Sequence, residues 1–374
     1  MTTSLNDKKA LKRVCFVSST LSSGGAERAL SNLLCSMDRE NLCITVLLLN
    51  GIVTYPVPAD VNIIDLRKRS AIYLPYCFFL LMCNLIKLKP HVLISVWSFP
   101  SLLTGLALKI TQLKTNWVVR VANNPADQED DWRKKIFSWL YKHAQRYIVL
   151  CDDLEQNFVA YYPYSKGKTH MIRNGFDLAS LQQKAKIKLD DDFELNQDYM
   201  VSVGSLSAQK RYDLLLKAYA SLDTKYQIPL VILGDGPLRN DLNVLANELN
   251  ISNKIVFKGY VTNPYPFVVN AKVFVLNSDY EGLCNAAIEA QCLGVPAVIT
   301  DCPTGNREIV EQGVTGILVP TRNTKAMAEG IQSILDLEHE AYQQMHRRAT
   351  EIVGSKYRIE NSAKKLNELI SEIS

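Results

Sequence analysis

Two glutamates eight positions apart form the pattern that most clearly points to chemistry. Glu281 and Glu289 lie in the stretch SDYEGLCNAAIEAQCLGVP, which follows an apolar run ending at Leu276. If a helix begins near Asn285, Glu281 lies in the loop before it and Glu289 more than one turn inside it. Backbone N–H groups at a helix start bind anions, and a carboxylate on either side accepts hydrogen bonds from hydroxyls. The pattern fits a sugar nucleotide; the alternative is a solvated pair of glutamates.

Two further turns between a predicted strand and a predicted helix carry glycines or basic residues. Lys210 and Arg211 occupy the second of these turns, where Lys210 could neutralise a phosphate with the help of Arg211 or could point to solvent. Gly24 and Gly25 occupy the first, where they either let the backbone approach a phosphate or form only a tight turn. The fingerprints G-x-G-x-x-G and G-x-x-x-x-G-K are both missing from these turns.

Short apolar runs alternate with helical stretches along most of the chain, a pattern that predicts parallel sheets built from βαβ units. Each half opens with an apolar strand, a glycine-bearing loop and a helix, so the sequence favours two doubly wound α/β domains over one large sheet. The predicted strands are Val14–Ser18, Ile44–Leu49, His91–Val96, Trp117–Val121, Tyr147–Leu150, Met200–Val203, Leu230–Leu233, Ile255–Phe257, Val273–Leu276 and Ala297–Ile299.

Composition excludes several classes of protein. The 374 residues carry 42 Lys+Arg and 38 Asp+Glu, so the formal net charge is only +4, and we expect no nucleic-acid partner. Hydrophobic residues make up 47% of the chain, which is ordinary for a globular protein and excludes a disordered one. The nine cysteines form no C-x-x-C pair, so we expect reduced, mostly buried thiols and a cytoplasmic location.

One apolar segment, residues 67–89, has basic residues at both ends. Its centre reads AIYLPYCFFLLMCNLI, with Arg67, Lys68 and Arg69 before it and Lys87 and Lys89 after it. The apolar centre contains a proline and is shorter than the roughly 20 residues that a spanning helix needs. Two alternatives remain open: a helix packed in the core of an α/β domain, or a helix in the membrane interface with cationic ends toward anionic headgroups.

Together these motifs resemble the family-4-type retaining glycosyltransferases, which have the two-Rossmann GT-B architecture. The resemblance is carried by SGGAERAL, IRNGFD, VGSLSAQKRYDLLLKAY, VILGDGPLRNDL, FKGYVTNPY and SDYEGLCNAAIEAQCLGVPAVITDCPTGNREIV. These pieces extend over most of residues 14–320. The likeness is greatest to bacterial enzymes that build lipid-linked oligosaccharides, O-antigen or capsule repeats, including N-acetylgalactosamine transferases.

The resemblance implies a role for each site residue. Glu281 would orient the donor sugar, Glu289 would bind the ribose, and Lys210 would stabilise the departing diphosphate. The remaining predicted contacts to the nucleotide are Gly24, Gly25, Arg211, Gly282, Leu283 and Cys284. Since a cation and a helix dipole would compensate the charge of the leaving group, we expect neither a metal ion nor a cofactor. No carboxylate nucleophile stands out, so a front-face displacement is expected.

Two positions depart from the family pattern. Ser205 stands where members usually have an arginine, and Ala122 stands where they often have a histidine. Asn123, Asn124 and Arg120 are the alternatives for the hydrogen bonds of that histidine, and Asn123 completes the predicted catalytic set with Glu281 and Lys210. We also expect that replacing Glu281 by alanine cuts turnover strongly and leaves folding intact, since a loop carboxylate contributes little to a core.

The resemblance also implies the domains, partners and location. We expect an acceptor-binding Rossmann-like domain over residues 1–185, a nucleotide-sugar-binding domain over 186–356, a cleft between them and a closing helix over 357–374 that crosses back. The expected partners are a nucleotide sugar with UDP, a polyprenyl-diphosphate-linked glycan acceptor, and the inner face of the cell membrane through residues 67–89. The alternatives are a sugar-nucleotide epimerase of the same fold and a non-catalytic binding protein.

Overall fold

The chain folds into two compact units, one formed by Met1–Gly175 with Ile359–Ser374 and the other by Phe176–Arg358. The structure is a computed structural model, and it describes residues 11–22, 24–122, 124–125, 131–188 and 197–374. We call the two parts unit 1 and unit 2. Each is an α/β unit with its own sheet.

Unit 1 contains a seven-stranded parallel sheet in the order β3-β2-β1-β4-β5-β6-β7. Its strands are β1 (Lys12–Ser18), β2 (Leu42–Leu48), β3 (Asn62–Asp65), β4 (Val92–Val96), β5 (Asn116–Arg120), β6 (Arg146–Val149) and β7 (Thr169–Met171). The helices between them are α1 (Gly25–Ser36), α2 (Leu74–Leu88), α3 (Ser98–Thr111), α4 (Asp131–Tyr141) and α5 (Asp152–Tyr161). Every residue of β4 is buried, as expected for a central strand covered by helices on both faces.

Unit 2 contains a six-stranded parallel sheet in the order β10-β9-β8-β11-β12-β13. Its strands are β8 (Met200–Val203), β9 (Leu230–Leu233), β10 (Ile255–Gly259), β11 (Val273–Leu276), β12 (Ala297–Thr300) and β13 (Gly316–Val319). Its helices are α6 (Leu178–Ala185), α7 (Tyr212–Ala220), α8 (Arg239–Glu248), α9 (Tyr265–Val269), α10 (Asn285–Cys292), α11 (Asn306–Ile309), α12 (Thr324–Leu335), α13 (His339–Arg348) and α14 (Gly354–Lys356).

The last helix, α15 (Ile359–Ile373), belongs to unit 1, where it packs on α1. Its buried residues Leu366 and Ile370 join the same hydrophobic cluster as Leu30 and Leu34 of α1. The closing helix predicted over 357–374 is therefore present and begins at Ile359.

The division between the units differs from the predicted boundary at residue 185. Unit 1 ends at Gly175, because α6 packs against α9 inside unit 2 and adds residues 178–185 to that unit. All ten predicted strands are present, and six of the nine cysteines are buried, as predicted. Three strands were not predicted: β3, β7 and β13.

Candidate active site

The candidate site in unit 2 lies where the strand order of the sheet reverses. The reversal falls between the neighbouring strands β8 and β11, and the loops that follow these two strands carry Lys210 and Glu281. Ligands of open α/β sheets bind at this point, outside the carboxyl ends of the strands. The fold therefore brings together two residues that are 71 positions apart in the sequence.

Lys210 and Glu281 form a buried ion pair, in which Nζ of Lys210 donates to Oε1 of Glu281. The exposed fractions of the two side chains are 15% and 8%. Burial lowers the pKa of Lys210, but the attraction of the Glu281 carboxylate outweighs burial and holds that pKa above its usual value. Lys210 therefore remains a cation at any physiological pH, as the neutralisation of a phosphate requires.

Hydroxyl groups from two loops hold Glu281 in place, one in its own loop and one in the loop after β12. Oγ of Ser278 donates to Oε1 of Glu281 over 2.6 Å, and Oγ1 of Thr304 donates to the backbone carbonyl oxygen of Glu281. Oγ1 of Thr300 in turn donates to the carbonyl oxygen of Ser278 over 2.6 Å. The sequence analysis did not single out Ser278 or Thr304; the available signal for Ser278 was a hydroxyl three residues before the glutamate.

Helix α10 begins at Asn285, as predicted, with Cys284 at the N-cap. The side chain of Cys284 makes no capping hydrogen bond, so this helix start lacks the usual side-chain acceptor. Glu281 lies in the preceding loop, and Glu289 lies in the second turn with only 3% of its surface exposed. The predicted positions of both glutamates relative to the helix are confirmed; their contacts with a donor stay predictions.

Gly282 and Leu283 complete the loop between Glu281 and the helix, and Leu283 is buried. This loop contacts a second close turn, since a Cβ added to Gly305 would lie 2.8 Å from the carbonyl oxygen of Gly282. Gly305 also has a φ of +72°, a backbone conformation that favours glycine. The loop that carries these residues is therefore tightly packed. The contacts of Gly282, Leu283 and Cys284 with a diphosphate stay predictions.

Arg211 binds two carboxylates. Its guanidinium donates to both oxygens of Asp213, at 3.0 and 2.9 Å, and to Asp279 at 3.1 Å. Asp279 also accepts two hydrogen bonds from Arg322, at 3.0 and 2.9 Å. Arg211 thus joins the loop after β8 to the loop after β11, and its predicted contact with a diphosphate stays a prediction.

In unit 1, the predicted glycine turn stands at the start of α1, with Gly24 at the N-cap and Gly25 as the first helical residue. The carboxylate of Glu27 lies against this turn, because a Cβ added to Gly24 would come within 1.9 Å of Oε2 of Glu27. The side chain of Glu27 thus covers the helix start at which a phosphate was predicted. Asn123 lies outside the described residues, and its neighbours Ala122 and Asn124 are buried.

The apolar segment at 67–89 forms a turn of 3-10 helix over Ala71–Tyr73 followed by α2. By length and composition alone, Ala71–Leu88 could cross a membrane, although a core helix would meet the same criteria. The buried side chains of α2 are Cys77, Leu81 and Leu85. The core-packed alternative therefore accounts for one side of the helix, and most of the segment is not buried.

Among the described residues, no group of three or more His, Cys, Asp and Glu side chains could hold a metal ion.

Comparison with known proteins identifies the class to which this architecture belongs. Residues 23–180 match the family model described as Glycosyltransferase Family 4, and residues 183–352 match Glycosyl transferases group 1. The two models together match most of the chain. The chain belongs to the family-4 glycosyltransferases, as its motifs predicted, and it is a glycosyltransferase of the GT-B fold.

Two relatives show how far the similarity extends. An uncharacterised glycosyltransferase of Methanocaldococcus jannaschii is 32% identical over 220 residues, which are 56% of this chain and 54% of that protein. The chain thus matches about half the length of that relative. The N-acetylgalactosamine-N,N'-diacetylbacillosaminyl-diphospho-undecaprenol 4-alpha-N-acetylgalactosaminyltransferase of Campylobacter jejuni is 28% identical over 338 residues, 85% of this chain and 88% of that enzyme.

Solved structures share the fold. Anabaena HepE in complex with UDP superposes with a TM-score of 0.78 at 16% identity, covering 96% of this chain and 100% of that one. Sucrose-phosphate synthase from Thermosynechococcus elongatus has a TM-score of 0.77 at 19% identity, with 97% and 99% covered. The predicted α/β class with two doubly wound units is confirmed.

Proposed function

We propose that this chain is a retaining, metal-independent glycosyltransferase. It moves a hexose or an N-acetylhexosamine from UDP to a polyprenyl-diphosphate-linked glycan at the inner face of the cell membrane. The observation that carries the proposal is the buried pair of Lys210 and Glu281 beside the start of α10. A cation and a helix N-terminus together suit the diphosphate of a nucleotide sugar.

In the proposed reaction, the acceptor hydroxyl oxygen bonds to the anomeric carbon on the face from which UDP departs. The bond between that carbon and the phosphate oxygen breaks, and the leaving phosphate takes the proton of the acceptor hydroxyl. Lys210 has three N–H donors, so it can contact a phosphate oxygen while still donating to Glu281. Lys210 and the N–H groups at the start of α10 would then stabilise the charge that develops on UDP.

The two glutamates divide the recognition of the donor in this proposal. Glu281 accepts hydrogen bonds from hydroxyls of the donor sugar, and the hydroxyls of Ser278 and Thr304 fix its position. Glu289, in the second turn of α10, accepts hydrogen bonds from the ribose. A carboxylate is a strong acceptor of hydroxyl hydrogen bonds, and the protein supplies it already oriented.

The acceptor is proposed from the relatives. Two Campylobacter jejuni enzymes with matches over 85% and 88% of this chain are named as N-acetylgalactosaminyltransferases whose acceptors are linked to undecaprenol diphosphate. The crystal structure of HepE with UDP, which has a similar fold, supports a UDP-linked donor. A lipid-linked acceptor requires that the enzyme meet a membrane surface.

Residues 67–89 provide the membrane contact in this proposal. Helix α2 connects β3 to β4 within one sheet and packs on α3, so it would have to leave the fold in order to cross a bilayer. An interfacial position is compatible with the fold, because Ile72, Tyr76 and Phe79 are exposed at 84%, 45% and 55%. The basic residues on both sides of the segment would meet anionic headgroups.

The first experiment is a thermal-shift panel with UDP, GDP, ADP, CMP and nicotinamide dinucleotides, without metal and then with EDTA. A ligand at 100 times its dissociation constant stabilises a protein by about 2.7 kcal/mol, which is readily measured. We expect UDP to raise the melting temperature and EDTA to leave the shift unchanged. If no nucleotide raises the melting temperature, the result would favour a non-catalytic binding protein of the same fold.

A second experiment tests the reaction. The purified chain is incubated in EDTA with UDP-N-acetylgalactosamine, UDP-N-acetylglucosamine, UDP-galactose or UDP-glucose and an undecaprenyl-diphosphate-linked N-acetylhexosamine. We expect one donor to give a product whose anomeric carbon keeps the α configuration in the NMR spectrum. A β-linked product would contradict retention, and a free, altered nucleotide sugar formed without acceptor would identify an epimerase.

A further inference from the structure

A second cluster of buried polar side chains lies at the carboxyl edge of the sheet in unit 1. It consists of Glu27, which follows β1, Arg120, the last residue of β5, and Asn174, which follows β7. The exposed fractions of these residues are 8%, 2% and 3%. The end of β5, the segment after β7 and the first turn of α1 thus bring charged or polar groups to the carboxyl edge of the sheet, where sheets of this kind bind ligands.

The hydrogen bonds of this cluster are incomplete. Nη2 of Arg120 donates to the amide oxygen of Asn174. Nε and Nη1 of Arg120 and Oε2 of Glu27 are also buried, and within the described part of the chain they have no hydrogen-bond partner. Buried polar atoms without partners are rare in proteins because each one loses its hydrogen bonds to water. Three such atoms in one cluster indicate a group that binds there.

The charges of Arg120 and Glu27 influence one another. Burial lowers the pKa of Arg120 to about 10, and the charge of Glu27 partly offsets this effect. Burial likewise raises the pKa of Glu27, and Arg120 partly offsets it. No ion pair within 4.0 Å joins these two described side chains, although each influences the other electrostatically. The carboxylate and the guanidinium thus belong to the same buried sheet edge, and each keeps polar atoms without a hydrogen-bond partner in the described part of the chain.

We propose that Glu27 and Arg120 bind the terminal sugar of the acceptor glycan through its hydroxyl or acetamido groups. The inference rests on the proposed function. Arg120 offers two N–H donors and Glu27 one carboxylate acceptor, a combination that matches a neutral group that both accepts and donates hydrogen bonds. Glu27 would repel an anion and Arg120 would repel a cation, so a neutral sugar fits better than either.

The acceptor is assigned to this cluster rather than the donor for two reasons. Lys210, Glu281 and Glu289, all in unit 2, are the residues proposed to contact the nucleotide sugar. Unit 1, in contrast, carries the exposed apolar helix at which a lipid-linked acceptor would arrive. A sugar site on the same unit as the lipid contact serves the acceptor.

The test measures the binding of two soluble probes to the purified chain by saturation-transfer NMR. The probes are phenyl N-acetyl-α-galactosaminide and phenyl α-glucoside. The test variants are Glu27→Gln, which keeps the size of the side chain, and Arg120→Lys, which keeps its charge. The matched controls are Glu40→Gln, at an exposed position of unit 1, and Arg146→Lys, at the opposite edge of the same sheet. Circular dichroism and melting temperature establish that each variant is folded.

We expect at least one probe to bind the wild-type chain and both test variants to raise its dissociation constant about tenfold or more. The controls should bind like the wild type, and UDP should stabilise all five proteins equally. If Arg120→Lys does not fold, Glu27→Gln decides the question. The inference fails if folded test variants bind the probe like the wild type, or if neither probe binds while UDP still does. If UDP does not raise the melting temperature of the wild-type chain, the result would instead overturn the proposed function.

Discussion

The ion pair between Lys210 and Glu281 makes each of these side chains costly to remove by itself. Both are buried, and Lys210 keeps its positive charge because of Glu281. Removing one partner of a buried pair leaves an uncompensated charge in the protein, which typically costs about 3–5 kcal/mol. Glu281 is buried, contrary to the premise that a loop carboxylate contributes little to a core, so we now expect an alanine at position 281 to lower stability as well as turnover.

Glu281→Gln is the better probe of the role of Glu281. Glutamine keeps the size of the side chain and still accepts a hydrogen bond from Lys210, but it lacks the negative charge. We expect turnover to fall about 100- to 1,000-fold, because a group that is already oriented toward the reacting sugar is lost. Steady-state rates with saturating donor and acceptor measure the effect.

Two controls accompany this variant. Glu248→Gln changes an exposed glutamate in the same unit and should leave the rate unchanged. The UDP thermal shift should persist in Glu281→Gln, because Glu281 is proposed to contact the sugar rather than the nucleotide. A rate within threefold of the wild type would remove Glu281 from the catalytic set.

At the scale of single residues, the sequence predicted where the site residues lie relative to the strands and helices, but not their burial or their contacts. The spacing of Glu281 and Glu289 around a helix start was visible because a strand, a loop and a helix follow one another locally. The burial of Glu281 and its pairing with Lys210 depend on two loops 71 residues apart, and no local pattern reports such a contact. Arg211 was predicted to help neutralise a phosphate. Its contacts with two carboxylates could not be predicted from the local sequence pattern.

At the scale of elements, three loops at one edge of the unit 2 sheet are joined through Asp279. Arg211 contacts it from the loop after β8, and Arg322 contacts it from the segment after β13. The backbone N–H of Asp279 also donates to the carbonyl oxygen of Gln209 over 2.9 Å, and Nε2 of Gln209 donates to the carbonyl oxygen of Tyr280 over 2.7 Å. These contacts fix the loops that carry Lys210 and Glu281.

Asp279→Asn tests this connection through its pH dependence. Burial raises the pKa of Asp279, but hydrogen bonds from Arg322 and Arg211 outweigh burial and lower it below the usual value. A carboxylate with a lowered folded-state pKa stabilises the fold above its unfolded-state pKa and loses this contribution as the pH falls. We expect the variant to be less stable by about 1 kcal/mol at pH 7, and the difference to shrink below about pH 4.

Urea unfolding at pH 7 and pH 3.5 measures this difference. Asp241→Asn, which changes an exposed aspartate of α8, serves as the control and should show little effect at either pH. A difference between wild type and Asp279→Asn that stays constant across this range would show that the carboxylate charge does not hold the loops together.

Among the elements, the strands that the sequence did not reveal are short. β3 reads NIID and β7 reads THM, and both are only partly buried at the edges of the unit 1 sheet. The central strands were visible because burial on both faces requires a continuous apolar run. The boundary at Gly175 was not visible, since the affiliation of α6 depends on its contact with α9 and not on its composition.

At the scale of the whole molecule, exposed apolar side chains are concentrated in one part of unit 1. Ten of the sixteen exposed large hydrophobic residues of the described chain lie between positions 72 and 139. They lie on α2 with its preceding turn, on α3 and on α4, and α3 packs against both of the other helices. Unit 2 contributes only Ile187, Val244 and Tyr260 within its described part. A surface of this kind marks an interaction site.

The part of this region that includes α2 and α3 is rich in basic residues, and acidic residues begin only at Asp127, before α4. Residues 67–126 contain eight lysines and arginines and no aspartate or glutamate, although the whole chain is nearly neutral. Some of these cations lie beside the exposed aromatic rings: Nζ of Lys109 is 4.8 Å from the ring centroid of Trp139, and Nζ of Lys68 is 5.7 Å from that of Phe99. Exposed aromatic and aliphatic groups among lysines suit an anionic bilayer surface.

The double variant Ile72→Ser/Phe79→Ser tests this membrane contact, because both side chains are exposed on the segment 67–89. Each fully buried apolar side chain contributes roughly 1.5–3 kcal/mol, so partial burial of two in the interface predicts a ten- to hundredfold loss of binding. Flotation with phosphatidylglycerol vesicles measures it, and Val244→Ser/Tyr260→Ser in unit 2 is the matched control. Binding should also fall in phosphatidylcholine vesicles and at high salt. Equal flotation of both double variants and the wild type would place the membrane contact elsewhere.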